Sequence, residues 1–381
     1  MIELWKHRIH RTGYRLASIA VLGGCAGTAM DEGLVGTGQD EAAIQGGQLE
    51  TGFPAVGEYS TDGGFCSGTL ITPSLVLTAA HCAGGSPVFF TGTSPANFVS
   101  HAVDQQIIHP TKDLMLAHLA TPILDIPLLP INPGALPQVN TTCSGIGFGA
   151  HQESDGTTTW ETKRSCTERV ESANSTTIAV IMVSGIADHG DSGGPLLCGG
   201  TIAGVVHNHT DGNWPAHIRE NYAALDINWI RSKIGFKPAP ADYDGDGKAD
   251  FAGKDNDGNW YVDYAANGFG SWDVIRAGYG NATCTPVPAD YDGDGKADFS
   301  VKCSGTNPDG SVGTWLVDYA ASPQDGWNVI RTGYGNGSAL PVPADYDGDH
   351  KADFSVQGTG MWFVDFASSP QDGWNAIVVL P

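Results

Sequence analysis

From Ile44 to about Gly235, short β-branched and apolar runs alternate with turn residues, as in "GTLITPSLVLTAAHC", "VFFTGT", "QQIIHP" and "TIAGVVHN". Runs of this length, bounded by Gly, Pro, Ser and Asn, predict strands, and a succession of them predicts an all-β segment. The pattern turns helical only in "ALDINWIRSKIG". There Leu225, Ile227, Trp229, Ile230 and Ile234 predict one short amphipathic helix that closes the segment. "FKPAP", Phe236 to Pro240, then reads as a linker.

Beyond the linker the chain repeats itself. "PADYDGDGKADF" at 240–251 returns at 288–299 and, as "PADYDGDHKADF", at 343–354. Each copy precedes an aromatic run ("WYVDYA", "WLVDYA", "WFVDFA") and then "SWDVIRAGYG", "GWNVIRTGYG" or "GWNAIVVL". A unit of this size, with about four strands per copy, predicts blade-like β repeats over 236–381. Three copies are too few for a common closed propeller, so a partial β-propeller-like array is expected.

The chain of 381 residues is long enough for two domains with separate cores, and 52 glycines and 22 prolines agree with many tight turns. With 42 acidic against 19 basic side chains, the net charge of −23 leaves little basic surface for phosphates. That excludes nucleic acid as a partner and suits an exported protein or a binder of hard cations. Residues 1–24 join the basic "MIELWKHRIHRTGYR" to the apolar "LASIAVLGG", too short to span a bilayer, and read as an export signal. "LGGC" resembles a bacterial lipobox, which makes Cys25 the lipidated first residue; the alternative is an ordinary cleaved signal with an incidental thiol. Residues 25–43, small and acidic, read as a tether or pro-segment. The expected location is a bacterial outer membrane or cell surface, reached only through lipid, or the secreted state. In either case disulfides are allowed.

Candidate chemistry centres on "HGDSGGPLLC", which sets Ser192 among glycines. A serine nucleophile needs a base to take its proton and an acid to orient that base. "TAAHC" offers His81 after an apolar strand, and "KDLMLAHL" offers Asp113 at the start of another. The order His, Asp, Ser through an all-β segment matches one known triad arrangement. "CSGTLITPSLVLTAAHC", "DLMLAHL", "GDSGGPLLC" and the closing "NWI" resemble the trypsin/chymotrypsin-like serine protease family over residues 44–235, about half the chain. Three motifs in the right order are far more specific than any one of them.

The resemblance implies a chymotrypsin-like double β-barrel and a serine endopeptidase working through an acyl-enzyme. His81 would be general base and acid, Asp113 its orienting partner and Ser192 the nucleophile. The oxyanion hole would be the N–H groups of Gly190 and Ser192, with glycine permitting the turn. A zymogen is also implied: a cut after Ala43 in "AAIQGG" would release Ile44, whose ammonium pairs with Asp191. Alanine before the cut argues against a trypsin-type activator.

Departures from the family pattern bear on specificity. Asp188 stands where cysteine is usual, and Ile186 where trypsin-like members hold the acid of the pocket floor. That removes the usual reason to expect cleavage after lysine or arginine. For Glu220, in "ENYAAL", two readings stand: a charge in the S1 pocket favouring a basic P1 side chain, or an exposed glutamate on a misaligned loop. "VVHNH" replaces the usual Ser-Trp-Gly segment. His207 and His209, two apart, are expected to share a strand face and to line the substrate edge, or to form a metal pair that lacks a third ligand. The resemblance implies Cys66–Cys82 and Cys143–Cys198, with Cys143–Cys166 as a competing choice. Cys284 and Cys303, flanking the second repeat loop, are expected to pair, leaving Cys166 free.

In "DYDGDGKAD" the acids occupy positions 1, 3, 5 and 9 with glycine at 6, an alternation of oxygens that can wrap a hard cation. The first loop offers Asp242, Asp244, Asp246, the Lys248 carbonyl and Asp250. The second offers Asp290, Asp292, Asp294, the Lys296 carbonyl and Asp298. The third offers Asp345, Asp347, Asp349, the Lys351 carbonyl and Asp353, but His350 replaces the glycine, and its β-carbon disfavours a positive φ, predicting a weaker site. Position 12 is Gly253, Val301 or Val356, never glutamate, so these are not EF-hands. They resemble the FG-GAP/VCBS repeats of integrin-type β-propellers, which implies structural Ca2+; the alternative is plain Asx turns. The tryptophans of this half (Trp260, Trp272, Trp315, Trp327, Trp362, Trp374) are expected in the core, or as a docking face for a glycan or surface protein. The reading as a whole is an exported endopeptidase acting on protein or peptide, with a β-repeat appendage. Its rival is a protease-shaped scaffold that binds through its repeats, against which the intact His81, Asp113 and Ser192 argue.

Overall fold

The computed structural model describes residues 44–380 apart from 153–156, 210–215, 323, 325, 336, 359 and 372. The expected export signal, the lipidated Cys25 and the tether lie outside the described residues. Apart from one helix, Ile227–Ile234, and a single helical turn, Ala80–Cys82, the described secondary structure is strand.

Six strands close the first barrel: β1 (Val56–Thr61), β2 (Gly64–Thr72), β3 (Leu75–Thr78), β4 (Val88–Thr91), β5 (Val99–Ile108) and β6 (Met115–Leu119). They pair in the order β1-β2-β3-β6-β5-β4 and back to β1. Inward positions are the apolar members of the alternating runs, among them Tyr59, Leu70, Val76, Phe89 and Met115, all buried. The second barrel uses β7 (Thr142–Gly147), β8 (Arg164–Ala173), β9 (Thr177–Met182), β10 (Pro195–Cys198), β11 (Thr201–His209) and β12 (Arg219–Ala224). Their order is β8-β9-β12-β11-β10-β7, and a β7–β8 pairing brings the ring round.

A shared core joins the two barrels, with Leu77 and Leu116 from the first meeting Ile146, Leu197 and Val205 from the second. Full burial of one such side chain contributes about 1.5–3 kcal/mol, so this seam fixes how the barrels face each other. The predicted helix adds Ile230 to the same core. Asp226 caps it by accepting the Trp229 N–H at 3.0 Å, and Gly235, at φ +62°, ends it. No helix among the described residues is long and apolar enough to cross a membrane.

The structure contains Cys66–Cys82, Cys143–Cys198 and Cys284–Cys303, and leaves Cys166 a buried free thiol. Register explains why Cys143–Cys166 does not form. Cys166 faces Gly145 across the β7–β8 ladder, while Cys143 faces Glu168, two residues away.

Each repeat is one four-stranded antiparallel sheet, and the three sheets are separate, none closing on itself. The expected linker is part of the first of them, since Lys237–Pro238 pairs with Lys254 and Gly253. Successive sheets are clasped by buried ion pairs, Arg276 to Asp318 and Arg331 to Asp365, each at 2.5 Å. Each guanidinium also lies over a phenylalanine of the next repeat, Phe299 or Phe354. Trp260 and Trp315 are fully buried, as the core reading expects. Trp272 remains 38% exposed beside Phe251 and Phe236. The first repeat touches the first barrel directly, where Asn259 Nδ2 donates to Ser74 Oγ at 3.2 Å.

Candidate active site

His81 sits on the short turn that ends β3, closed by Cys66–Cys82, and Asp113 sits just before β6. Strand pairing of β3 with β6 sets these ends side by side, Thr78 opposite Met115. Asp113 then grips His81 twice: Oδ1 accepts the His81 backbone N–H at 2.8 Å and Oδ2 meets ring Nδ1 at 2.7 Å. Burial raises the Asp113 pKa, but N–H donation from His81 and His207 outweighs it and holds the carboxyl at about 2. An ionised carboxylate only accepts, so the proton is on Nδ1, and in the neutral imidazole the lone pair of His81 is on Nε2. That is the nitrogen a base must present.

The Ser192 loop reaches this place from the second barrel. Its carbonyl accepts the Ser67 N–H at 2.8 Å, and Cys82 Sγ lies 3.8 Å from the same oxygen. Gly193, at φ +80°, lies so close to Thr78 that a β-carbon would fall 2.0 Å from its hydroxyl. Gly190, at φ +91°, presses on Phe65 and Gly149. Among the described residues the N–H groups of Gly190 and Ser192 have no acceptor, and no hydrogen bond joins Ser192 Oγ to His81. Such contacts often tighten only when substrate is bound.

Ile44, the first described residue, is buried, and Gln45 bridges to Ile186. Asp191 is fully buried, accepting the Gly149 N–H on Oδ1 (2.8 Å) and the Asp188 N–H on Oδ2 (2.9 Å). Burial pushes its pKa up to about 7. Two N–H donors are poor compensation for a buried carboxylate, and an ammonium would be a better one.

His207 is not where alternation would put it. A bulge between Val206 and Asn208 parts it from His209. His207 Nδ1 turns to Asp113 Oδ2 at 2.5 Å, whereas the His209 ring packs against His189 and His217. The two therefore turn to different partners. Ile186 is fully buried under this region. Glu220 is only 2% exposed, not a surface glutamate; it accepts the Asn221 N–H and lies 3.4 Å from the buried His217. Sequence reasoning passed over His189 and His217, to which the triad motifs assign no role. The replaced cysteine at Asp188 was the one signal, since Asp188 Oδ1 pairs with His189 Nδ1 at 2.6 Å.

In the repeats, Asp242, Asp244 and Asp246 each bring an oxygen within 4.8 Å of the others, as do Asp290, Asp292 and Asp294. The ninth-position acids bind the backbone. Asp250 accepts the N–H groups of Tyr243 and Ala265, Asp298 those of Tyr291 and Ala320, and Asp353 those of Tyr346 and Ala367. His350 holds φ +68°, close to the +84° and +87° of Gly247 and Gly295.

Residues 45–224 match the family model described as Trypsin. The chain is similar to snake venom serine proteinase 14 of Crotalus adamanteus, 33% identical over 205 residues that cover 46% of this chain and 79% of the relative. It is also similar to the venom plasminogen activator Haly-PA of Gloydius brevicauda, 29% identical over 212 residues, 46% of this chain and 80% of that protein. Among solved structures it is similar to mouse neuropsin, a serine protease, with 21% identity, a TM-score of 0.43, and coverage of 49% of this chain and 97% of the other.

Proposed function

Since this chain belongs to the trypsin family of serine proteases and is a serine endopeptidase, we propose that its chemistry is carried by His81, Asp113 and Ser192. The observation that supports this most is the double grip of Asp113 on His81, which leaves Nε2 as the free base. In this reading Ser192 Oγ attacks the peptide carbonyl carbon while His81 Nε2 takes its proton. The oxyanion accepts hydrogen bonds from Gly190 N–H and Ser192 N–H. His81 then returns the proton to the leaving amine, and water, deprotonated by the same imidazole, hydrolyses the acyl-enzyme. Asp113 stabilises the imidazolium without being protonated itself. A cut after Ala43 would supply the Ile44 ammonium to Asp191, and Glu220, at the buried end of the imidazole row, would select P1 by charge.

The same proposal extends to the rest of the chain. The three repeats form part of a propeller-like array whose acidic loops hold Ca2+. The oxygens clustered from Asp242, Asp244 and Asp246, and from Asp290, Asp292 and Asp294, fit a hard cation, with the Lys248 and Lys296 carbonyls as further ligands. The ion would neutralise their mutual repulsion; in the first loop Lys248 Nζ, 2.6 Å from Asp246, does part of that work. Export, with or without lipid on Cys25, belongs to the same reading. The test of the catalytic part is labelling of matured protein with a fluorophosphonate, locating the adduct by mass spectrometry beside Ser192→Ala. An adduct on Ser192, absent from the variant, is expected. No adduct from protein whose N-terminus is Ile44 would overturn the assignment.

A further inference from the structure

Just before the oxyanion glycine, a carboxylate and two imidazoles come together from two elements. Asp188 and His189 lie on the loop leading to Gly190, and His209 ends β11. His189 Nδ1 is 2.6 Å from Asp188 Oδ1, and its ring meets that of His209 edge-on at 5.6 Å between centroids. One ligand atom from each of the three lies within 4.8 Å of the others. Small rotations bring such atoms to the ligand distance of about 2 Å that zinc requires.

The cluster is also braced from outside. Gln45 Nε2 donates to Asp188 Oδ2 at 2.9 Å, which leaves Oδ1 directed at His189. His209 packs on the fully buried His217 at 4.3 Å, and His217 is held by the Ala187 carbonyl at 2.8 Å. Outer partners of this kind orient metal ligands. The His189 side chain is 67% exposed, so an ion has a path from solvent. Two imidazoles and one carboxylate suit a borderline cation of the zinc class, whereas Ca2+ and Mg2+ prefer oxygen alone.

We propose that Asp188, His189 and His209 bind a zinc-class divalent cation at the rim of the substrate cleft, and that the bound ion inhibits cleavage. The ion takes the place of the proton between His189 Nδ1 and Asp188, and that proton passes through solvent to the ring's Nε2, so the ligand is a neutral imidazole. It ties the loop carrying Gly190 to the strand carrying His207 and occupies the space beside the oxyanion donors. The inhibition rests on the protease reading; the binding does not.

Calorimetric titration of Zn2+ into the full-length Ser192→Ala protein, with Ca2+ present to fill the acidic loops, reads binding without activity. We expect one site, weakened at least tenfold by His189→Ala and by the His189→Ala/His209→Ala pair, and kept in His207→Ala. Unchanged affinity in His189→Ala, whose exposed side chain leaves the fold intact, overturns the site. Loss confined to His207→Ala moves the ion to the neighbouring cluster of His81, Asp113 and His207 and also overturns it. In active protein, Zn2+ should raise KM or lower kcat at least tenfold, reversibly with chelator and not in His189→Ala. Binding without inhibition removes the regulatory half alone, and binding in a protein with no peptidase activity leaves the site standing while the protease reading falls.

Discussion

His207 Nδ1 lies 2.5 Å from Asp113 Oδ2, the same oxygen that His81 Nδ1 meets at 2.7 Å. One carboxylate oxygen thus accepts two imidazole N–H groups, and both help to keep Asp113 ionised. His207→Ala removes one donor without touching the Nε2 face of His81. Part of the lost hydrogen bond is present before reaction as well as in the transition state, so kcat should fall about tenfold with KM little changed. Asp113→Asn, by contrast, should cost about 10⁴ in kcat by imposing the wrong tautomer. Steady-state kinetics on a peptide substrate separates the two. A rise in KM alone for His207→Ala would make it a substrate-edge residue instead.

Much of this site was legible in the sequence because its parts sit in continuous motifs. "TAAHC" and "GDSGGPLLC" carry their own turn chemistry, and the pairing of β3 with β6 that joins His81 to Asp113 follows from two strongly apolar runs. The helix was legible for the same local reason, with its cap at Asp226 and its stop at Gly235. His207 was not, because a bulge is a tertiary accommodation that the alternation of "VVHNH" does not reveal. The Lys237–Pro238 strand was missed because proline-rich chain reads as linker until its neighbour Phe251–Lys254 is known to lie beside it.

Asp191 gives a pH dependence that changes with processing. Its folded pKa is raised, to about 7, by burial, against about 3.9 for an unfolded aspartate. Stabilisation relative to the ionised state is therefore complete below the unfolded value and is lost as pH rises through 7, on the order of 4 kcal/mol across that span. Glu168, also buried and raised to about 7, acts in the same window and direction. Thermal unfolding of the uncut Ser192→Ala chain should show stability falling from about pH 4 to about pH 7 and levelling above it. Asp191→Asn should flatten the curve to the part due to Glu168 and to Glu58 and Asp298, which burial also raises to about 7. Cutting to a free Ile44 should flatten it likewise, because an ammonium would favour the ionised carboxylate. Parallel curves for cut and uncut protein would separate Asp191 from Ile44.

Gly190→Ala tests the oxyanion hole from the backbone side. A β-carbon there would stand 2.6 Å from the Phe65 ring and 2.9 Å from Gly149 Cα, at φ +91°. The loop must rotate, which turns the Gly190 N–H away from the developing oxyanion. Losing one such donor costs about 100- to 1,000-fold in kcat. The fold should survive, since the strain is confined to a loop. An alanine variant with near-normal kcat would mean that this N–H is not used.

Chelation tests the repeats, and the third loop tests them most sharply. His350 adopts φ +68°, a conformation that glycine takes freely and that costs other residues about 1–2 kcal/mol. It also loses a contact: Asp246 N–H reaches both Asp242 and Asp244, and Asp294 N–H both Asp290 and Asp292, but Asp349 N–H reaches Asp347 alone. EDTA should lower the unfolding temperature of the full-length protein. Calcium titration should then show two tight sites and one weaker, and His350→Gly should bring the third towards the others while raising stability in calcium by about 1 kcal/mol. The acidic clusters repel most when empty, so the gain from His350→Gly should be larger with calcium than without it. No response to EDTA in either protein would leave the loops as turns held by their own aspartate hydrogen bonds.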